Sequence, residues 1–310
     1  MVPSFEIEAI LSQHGPPADH AIEIGTSREG REVLGYRFGA GPSRLSLIGG
    51  CHADEPVGPM MLDRLAADLA SRPASDPLLT TFSFRMVPHA NPDGEARNAV
   101  WTGQPVDLPG GGQGYDLALY QQHVVRELPG DDMEFGFPRG EGDVEARPEN
   151  RAIAAFLAPD APYVLHGSFH GMAYAAGPWF LIEGSWADRT VTMRDNLRRQ
   201  VRVAGYAIHD IDRGGEKGFH RIDEGFTTRP DSRAMAAHFE ALDDPETAGK
   251  FRPSSMETVR SFGGDPFTLV SEMPLFIRAK ADDTPRAMPI DDQMRLQLTF
   301  LSEALAAATS

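Results

Sequence analysis

Strand-like and helix-like runs alternate along this chain, and few architectures accommodate that alternation. Residues 31–38 and 44–50 read as strands, separated by the turn residues Gly39, Gly41 and Pro42. Apolar residues from Val57 to Leu69 recur at helical spacing just after Pro56, a residue that favours helix starts. Residues 81–87 alternate as a strand and lead towards the turn sequence Asn91-Pro92-Asp93-Gly94. Helices are expected at 5–13, 148–157, 188–204 and 289–307, and strands at 162–166, 178–183 and 267–272. Helices interleaved with strands cover the faces of a sheet, so the expected fold is an α/β sandwich. Residues 103–147 are rich in glycine, proline and acidic residues, and residues 212–265 are polar with many glycines and prolines. Both are too long for ordinary connections and are read as functional loop regions. No linker divides the chain, so residues 1–310 are expected to form one domain.

Composition bounds the partners. Against 29 Lys+Arg stand 45 Asp+Glu, a formal net charge of −16. Phosphate backbones and anionic lipid surfaces need clustered positive charge, so no nucleic acid and no membrane are expected as partners. No run approaches the roughly 18 apolar residues of a spanning helix. The one cysteine, Cys51, excludes an internal disulfide and suits a reducing compartment. The N-terminal residues do not read as a signal peptide, so a cytoplasmic location is expected. Composition leaves the oligomeric state open.

Three short segments carry chemistry. In Gly49-Gly50-Cys51-His52-Ala53-Asp54-Glu55 an apolar strand runs into two glycines, then places a histidine and a carboxylate three residues apart. Ligands bind just beyond the C-terminal ends of strands in open α/β sheets. Zinc accepts both imidazole nitrogen and carboxylate oxygen. In Val164-Leu165-His166-Gly167-Ser168-Phe169-His170 a second apolar strand delivers a further histidine, either His166 or His170. Three protein ligands and one open position make up a catalytic zinc site. The third segment is Thr268-Leu269-Val270-Ser271-Glu272, an apolar run ending in an acid that Pro274 is expected to cut short. Glu272 is placed to accept a proton from a water beside the metal.

Taken together with Asn91-Pro92-Asp93-Gly94 and the helix 148–157 (PENRAIAAFL), these segments resemble the carboxypeptidase A-like zinc peptidases. The resemblance implies a three-layer α/β/α sandwich around a mixed, largely parallel sheet. It also implies a Zn2+ cofactor held by His52, Glu55 and His170, because Ser168-Phe169-His170-Gly171 fits the family's ligand strand. Glu272 takes the general base role, and Arg97, a little after the NPDG turn, takes the oxyanion role. The implied function is hydrolysis of an amide bond in a peptide or small amide substrate. Alternatives are a deacylase of small N-acyl amino acids and a non-catalytic relative that binds metal or ligand.

The sequence departs from the family at the substrate end. An Asn-Arg pair that binds the substrate carboxylate is replaced here by Glu134 and Phe135. Neither can grip a carboxylate as a guanidinium fork does, and Glu134 would repel one. Arg229, with Arg213 and Arg221 upstream, is the expected substitute clamp. The family's substrate-side tyrosine, expected in the loop before Glu272, is absent from that loop, and the last tyrosine of the chain is Tyr206.

Overall fold

The computed structural model describes residues 3–309. Among them twelve strands occur: β1 (Ile22–Thr26), β2 (Glu32–Phe38), β3 (Ser43–Gly49), β4 (Phe82–Val87), β5 (Val106–Asp107), β6 (Gln113–Gly114), β7 (Leu165–Ala175), β8 (Trp179–Ile182), β9 (Arg221–Asp223), β10 (Phe226–Thr228), β11 (Phe267–Ile277) and β12 (Arg286–Ala287). Ten form one mixed sheet in the order β1-β2-β4-β3-β7-β11-β8-β10-β9, with β12 on β11. β5 and β6 make a separate ribbon. The central strands β4, β3, β7 and β11 run parallel. Antiparallel pairs flank them, β1 with β2, β2 with β4, and β11 with β8.

Parallel strands covered on both faces read as nearly continuous apolar runs. β3 and β4 do so, with Leu45, Leu47, Ile48, Phe82, Phe84, Met86 and Val87 all buried. Helices Val57–Ser71, Val191–Val203 and Ile290–Ala308 share one core with Leu45, Leu47 and Phe84 on one side of the sheet. Helices Pro148–Leu157 and Ser255–Ser261 bury Ile153, Phe156 and Val259 against Val33, Ile48 and Val87 on the other. The result is the expected three-layer sandwich. No helix among the described residues is long and apolar enough to cross a membrane.

Two strands outrun their sequence pattern. β7 begins at Leu165 rather than 162 and continues to Ala175, and β11 continues past Pro274 to Ile277. Pairing of β11 with β8 ends at Glu272, and pairing with β12 begins at Phe276. Pro274 falls in the gap, at a local sheet edge where a missing N–H is tolerated. The two long loop regions also hold small elements. Within 212–265, helices start at Ser232, Pro245 and Ser255, capped by Asp231, Asp244 and Ser254.

Candidate active site

The site is assembled at a strand-to-helix turn. After β3 the backbone passes through Gly50 at φ +69°, a left-handed conformation suited to glycine, and then delivers His52 and Glu55 ahead of helix Val57–Ser71. Gly58 lets the first turn of that helix lie directly on β7. A Cβ there would stand 2.2 Å from the Phe169 carbonyl oxygen. The next residue on β7 is His170, and Glu272 of β11 pairs with it in register. His170 and Glu272 therefore lie inside long strands rather than at strand ends.

Three donor groups converge. His52 Nδ1 is 2.8 Å from Glu55 Oε1, His170 Nδ1 is 2.8 Å from Glu55 Oε2, and the two Nδ1 atoms are 3.1 Å apart. A tetrahedral ion with bonds of about 2.0–2.2 Å has ligand–ligand edges of about 3.3–3.6 Å. The observed spacings fall about 0.2–0.8 Å short of those edges, so a small outward shift of the donors would admit the ion, and their ligand atoms all lie within 4.8 Å of one another. The residues present thus fit a zinc ion.

Burial works against a charge on Glu55, but the two histidines outweigh it and bring its pKa down to about 2. Burial, and then the charge of Glu55, push Glu272 up to about 8. A cation among the ligands would draw that value back down.

His166 sits four residues before His170 on β7. Its ring nitrogens bond Ser46 Oγ at 2.8 Å and Ser255 Oγ at 3.0 Å, and burial holds its pKa near 3. With both nitrogens occupied in the core, it is not a cleft residue.

The groups lie in a cleft of about 580 Å³ lined by His52, Glu55, Asp132, Glu134, His170 and Glu272, among others. Leu181, Met256, Val270 and Phe219 form an apolar wall near Glu272. The cleft's cations are Arg126, Arg213, Lys217 and Arg278. Arg126 bonds Asp54 at 2.8 Å and also meets the Tyr120 hydroxyl. Arg278 lies over the Tyr174 ring, 4.3 Å from its centre, and has no ion-pair partner among the described residues.

Arg97 and Arg229 are not brought to this cleft. In helix Pro92–Thr102 the residues Asp93, Gly94, Asn98 and Trp101 are buried, but the Arg97 side chain is exposed and pairs with Glu29 at 2.5 Å. Arg229 pairs with Glu183 at 2.8 Å and bonds Thr268 Oγ1, so its guanidinium is spent on structure. Arg221 pairs with Asp210 at 3.0 Å. Of the three arginines expected as a clamp, Arg213 alone reaches the cleft, where it stacks over Phe219. Glu134 lines the cleft but is buried, with Oε2 3.2 Å from Nε2 of His170. Phe135 also lines the cleft, its ring set edge-on against Phe251.

Sequence reasoning missed Arg126, Lys217, Arg278 and Tyr174. Tyr174 follows His170 by four residues, so alternation along an extended β7 was the available signal.

The Asn91-Pro92-Asp93-Gly94 turn is structural. Asn91 caps its helix by accepting from Gly94 N–H, while Asp93 accepts from Ser27 and Arg31.

The profile of the zinc carboxypeptidase family matches residues 9–183. A carboxypeptidase E of Caenorhabditis elegans is 27% identical over 184 residues, covering 52% of this chain and 38% of that protein. A carboxypeptidase D of Anas platyrhynchos is 32% identical over 145 residues, covering 44% of this chain and 10% of that protein. The chain thus spans well under half the length of either relative. A metallo-carboxypeptidase from Burkholderia cenocepacia superposes with a TM-score of 0.51 at 18% identity, covering 98% of this chain and 67% of that one, a likeness of fold.

Proposed function

The chain belongs to the zinc carboxypeptidase family, and on that premise we propose that it hydrolyses amide bonds at a zinc ion held by His52, Glu55 and His170. The observation that carries this reading is the convergence of the two Nδ1 atoms and the Glu55 carboxylate within 2.8–3.1 Å at the floor of the cleft. When bound, zinc supplies Lewis acidity, polarising a substrate carbonyl and making water a stronger acid. The remaining work falls to the chain. Glu272, beside His170 across the β7–β11 ladder, accepts the proton of the attacking water and returns it to the leaving amine. Arg126, anchored by Asp54 next to Glu55, takes the oxyanion role expected of Arg97. The wall of Leu181, Met256, Val270 and Phe219 receives an apolar part of the substrate and excludes water there.

Recognition of the leaving side is atypical in this reading. Glu134 turns towards His170 and Phe135 towards Phe251, so that loop offers a substrate carboxylate no guanidinium. A carboxylate brought beside buried Glu134 would be desolvated without a partner. The substrate is therefore a peptide or small amide that needs no free carboxylate at this place.

Two measurements test the proposal. Glu272→Gln should keep about one zinc per chain while turnover falls by about 10²–10⁴-fold. Wild-type turnover in that variant removes Glu272 as the base. Stoichiometric zinc with no turnover of any acyl substrate would instead leave a metal-binding relative. Matched amide and free-acid substrates test recognition, with the amide expected to be cleaved at least as well. A free-acid preference above about tenfold, or about 1.4 kcal/mol, overturns the recognition part.

A further inference from the structure

Glu134 occupies a segment that the fold holds firmly. Met133 is fully buried, and its carbonyl accepts from Asn150 Nδ2 at 2.9 Å. The Phe135 carbonyl accepts from Arg252 N–H at 2.9 Å, and Phe137 N–H donates to the Pro253 carbonyl at 3.1 Å. The Glu134 side chain is thereby fixed in place, 7% exposed. Its Oε2 is buried and has no hydrogen-bond partner of good geometry. A buried carboxylate left without compensation is costly. Within ion-pairing distance it has one basic group among the described residues, Nε2 of His170 at 3.2 Å.

The two nitrogens of His170 face different surroundings. Nδ1 faces Glu55 and His52, and Nε2 faces Glu134 and Ser168 Oγ, the latter at 2.7 Å. If Nδ1 gives its lone pair to a cation, the ring proton must reside on Nε2. The charge of a carboxylate on that side favours that tautomer and makes Nδ1 a better donor. Ser168 supplies direction but no charge.

We propose that Glu134 is a positioning residue for His170, fixing it as the Nε2–H tautomer with Nδ1 aimed into the metal site. The position that elsewhere in the family faces the substrate carboxylate here braces a ligand from behind. This inference rests on the proposed ligand set of His52, Glu55 and His170.

The test is carried out on the full chain, stripped of metal and titrated with Zn2+ against a competing chelator. Glu134→Gln keeps the shape and removes the charge, and should weaken zinc binding by about 10–100-fold. The Co2+-loaded variant should show a shifted visible d–d absorption, which a change in global stability alone would not produce. Ser168→Ala should weaken binding less than Glu134→Gln. Zinc affinity within twofold of wild type, with an unchanged Co2+ spectrum, overturns the proposal. If Glu134→Gln does not fold, the same two readouts on Glu134→Met decide it in the same way. His52→Ala separates the two levels of the argument. Unchanged zinc affinity there refutes the ligand set itself, whereas lost affinity there with an unaffected Glu134→Gln refutes the bracing role alone.

Discussion

Gly58→Ala should break the metal site without touching a ligand. A Cβ at Gly58 would lie 2.2 Å from the Phe169 carbonyl oxygen and 3.0 Å from the Phe169 Cβ, while ordinary contact begins at 3.4 Å. Helix Val57–Ser71 and β7 must then separate by about 1 Å, because tightly packed interiors leave no slack to absorb it. Glu55 lies three residues before Gly58, and His170 directly follows Phe169. The displacement therefore acts between two proposed ligands, whose distances to a metal would tolerate about 0.2 Å. Overpacking of this kind costs about 1–3 kcal/mol, and alanine's better helix propensity returns about 1 kcal/mol at most. For a chain of this length that predicts a Tm lower by about 1–5 °C. Zinc affinity, measured by chelator competition, should fall by more than tenfold. Gly249→Ala is the control, since a Cβ at Gly249 meets nothing within 4 Å. It should leave zinc affinity unchanged and raise stability slightly. Wild-type zinc affinity and Tm in Gly58→Ala would refute the idea that this close approach sets the ligand geometry.

Arg229→Ala should cost about 2–3 kcal/mol in chemical denaturation by leaving Glu183 half-compensated, yet leave KM unchanged; a marked rise in KM would return Arg229 to the site. His166→Ala should lower stability by orphaning the Ser46 and Ser255 hydroxyls while zinc stoichiometry holds, whereas His170→Ala should lose zinc; the opposite pattern would exchange their roles. His89 gives a pH signature. Burial opposes its charge, but hydrogen bonds to Asp63 and Glu95 outweigh this and raise its pKa from 6.5 to about 10. The charged clamp therefore stabilises fully below about pH 6.5 and is lost as pH rises through about 10. With 32% of the side chain exposed, solvent screening reduces its worth to about 1–2 kcal/mol. The stability gap between wild type and His89→Gln should shrink between those two pH values, and a level gap across them would refute the clamp.

The sandwich was legible because β3, β4 and the helices around them carry patterns that burial alone imposes, as Leu45, Leu47 and Ile48 show. The far ends of β7 and β11 were not. Past the site Met172 and Tyr174 of β7 line the cleft, while β11 goes on burying Met273, Leu275 and Phe276 in the core, and there Pro274 alone masks the continuing ladder. The candidate ligands were legible because a histidine and an acid three residues apart after an apolar strand and two glycines is a local arrangement. The arginines were not, because sequence gives a guanidinium's presence and not its direction. Arg97 lies one turn after buried Asp93 and one turn before buried Trp101, so helical phase alone would turn it inward, yet its side chain runs out to Glu29, 68 residues away. Arg229 and Arg126 depend on Glu183 and Asp54, partners 46 and 72 residues away, which no local pattern reveals. The short helices within 212–265 had usable signs in their caps, Asp231, Asp244 before Pro245, and the capping box of Ser254 with Glu257.

Charge balance connects the two substitutions at Glu134 and Phe135. On the proposed site, a divalent ion is offset first by Glu55, which leaves one unit of positive charge. In the family pattern a neutral Asn stands at the next position, and an Arg beside it adds a further positive charge that a substrate carboxylate can satisfy. Here Glu134 supplies that negative charge from within the protein, at the back of His170. With the ion offset by Glu55 and Glu134, a guanidinium at position 135 would have no substrate carboxylate to hold, and the position is free to take an apolar side chain, Phe135, on the cleft wall against Phe251. Glu272 is then not needed to offset the ion, which suits a group that must gain and lose a proton rather than hold it. Glu134 and Phe135 thus read as one coupled change. Restoring Arg at 135 alone should create a buried cation beside Phe251 and destabilise the chain, and it should not confer free-acid preference while Glu134 remains. A Phe135→Arg variant that folds with wild-type stability and prefers free-acid substrates would show that the two positions act independently.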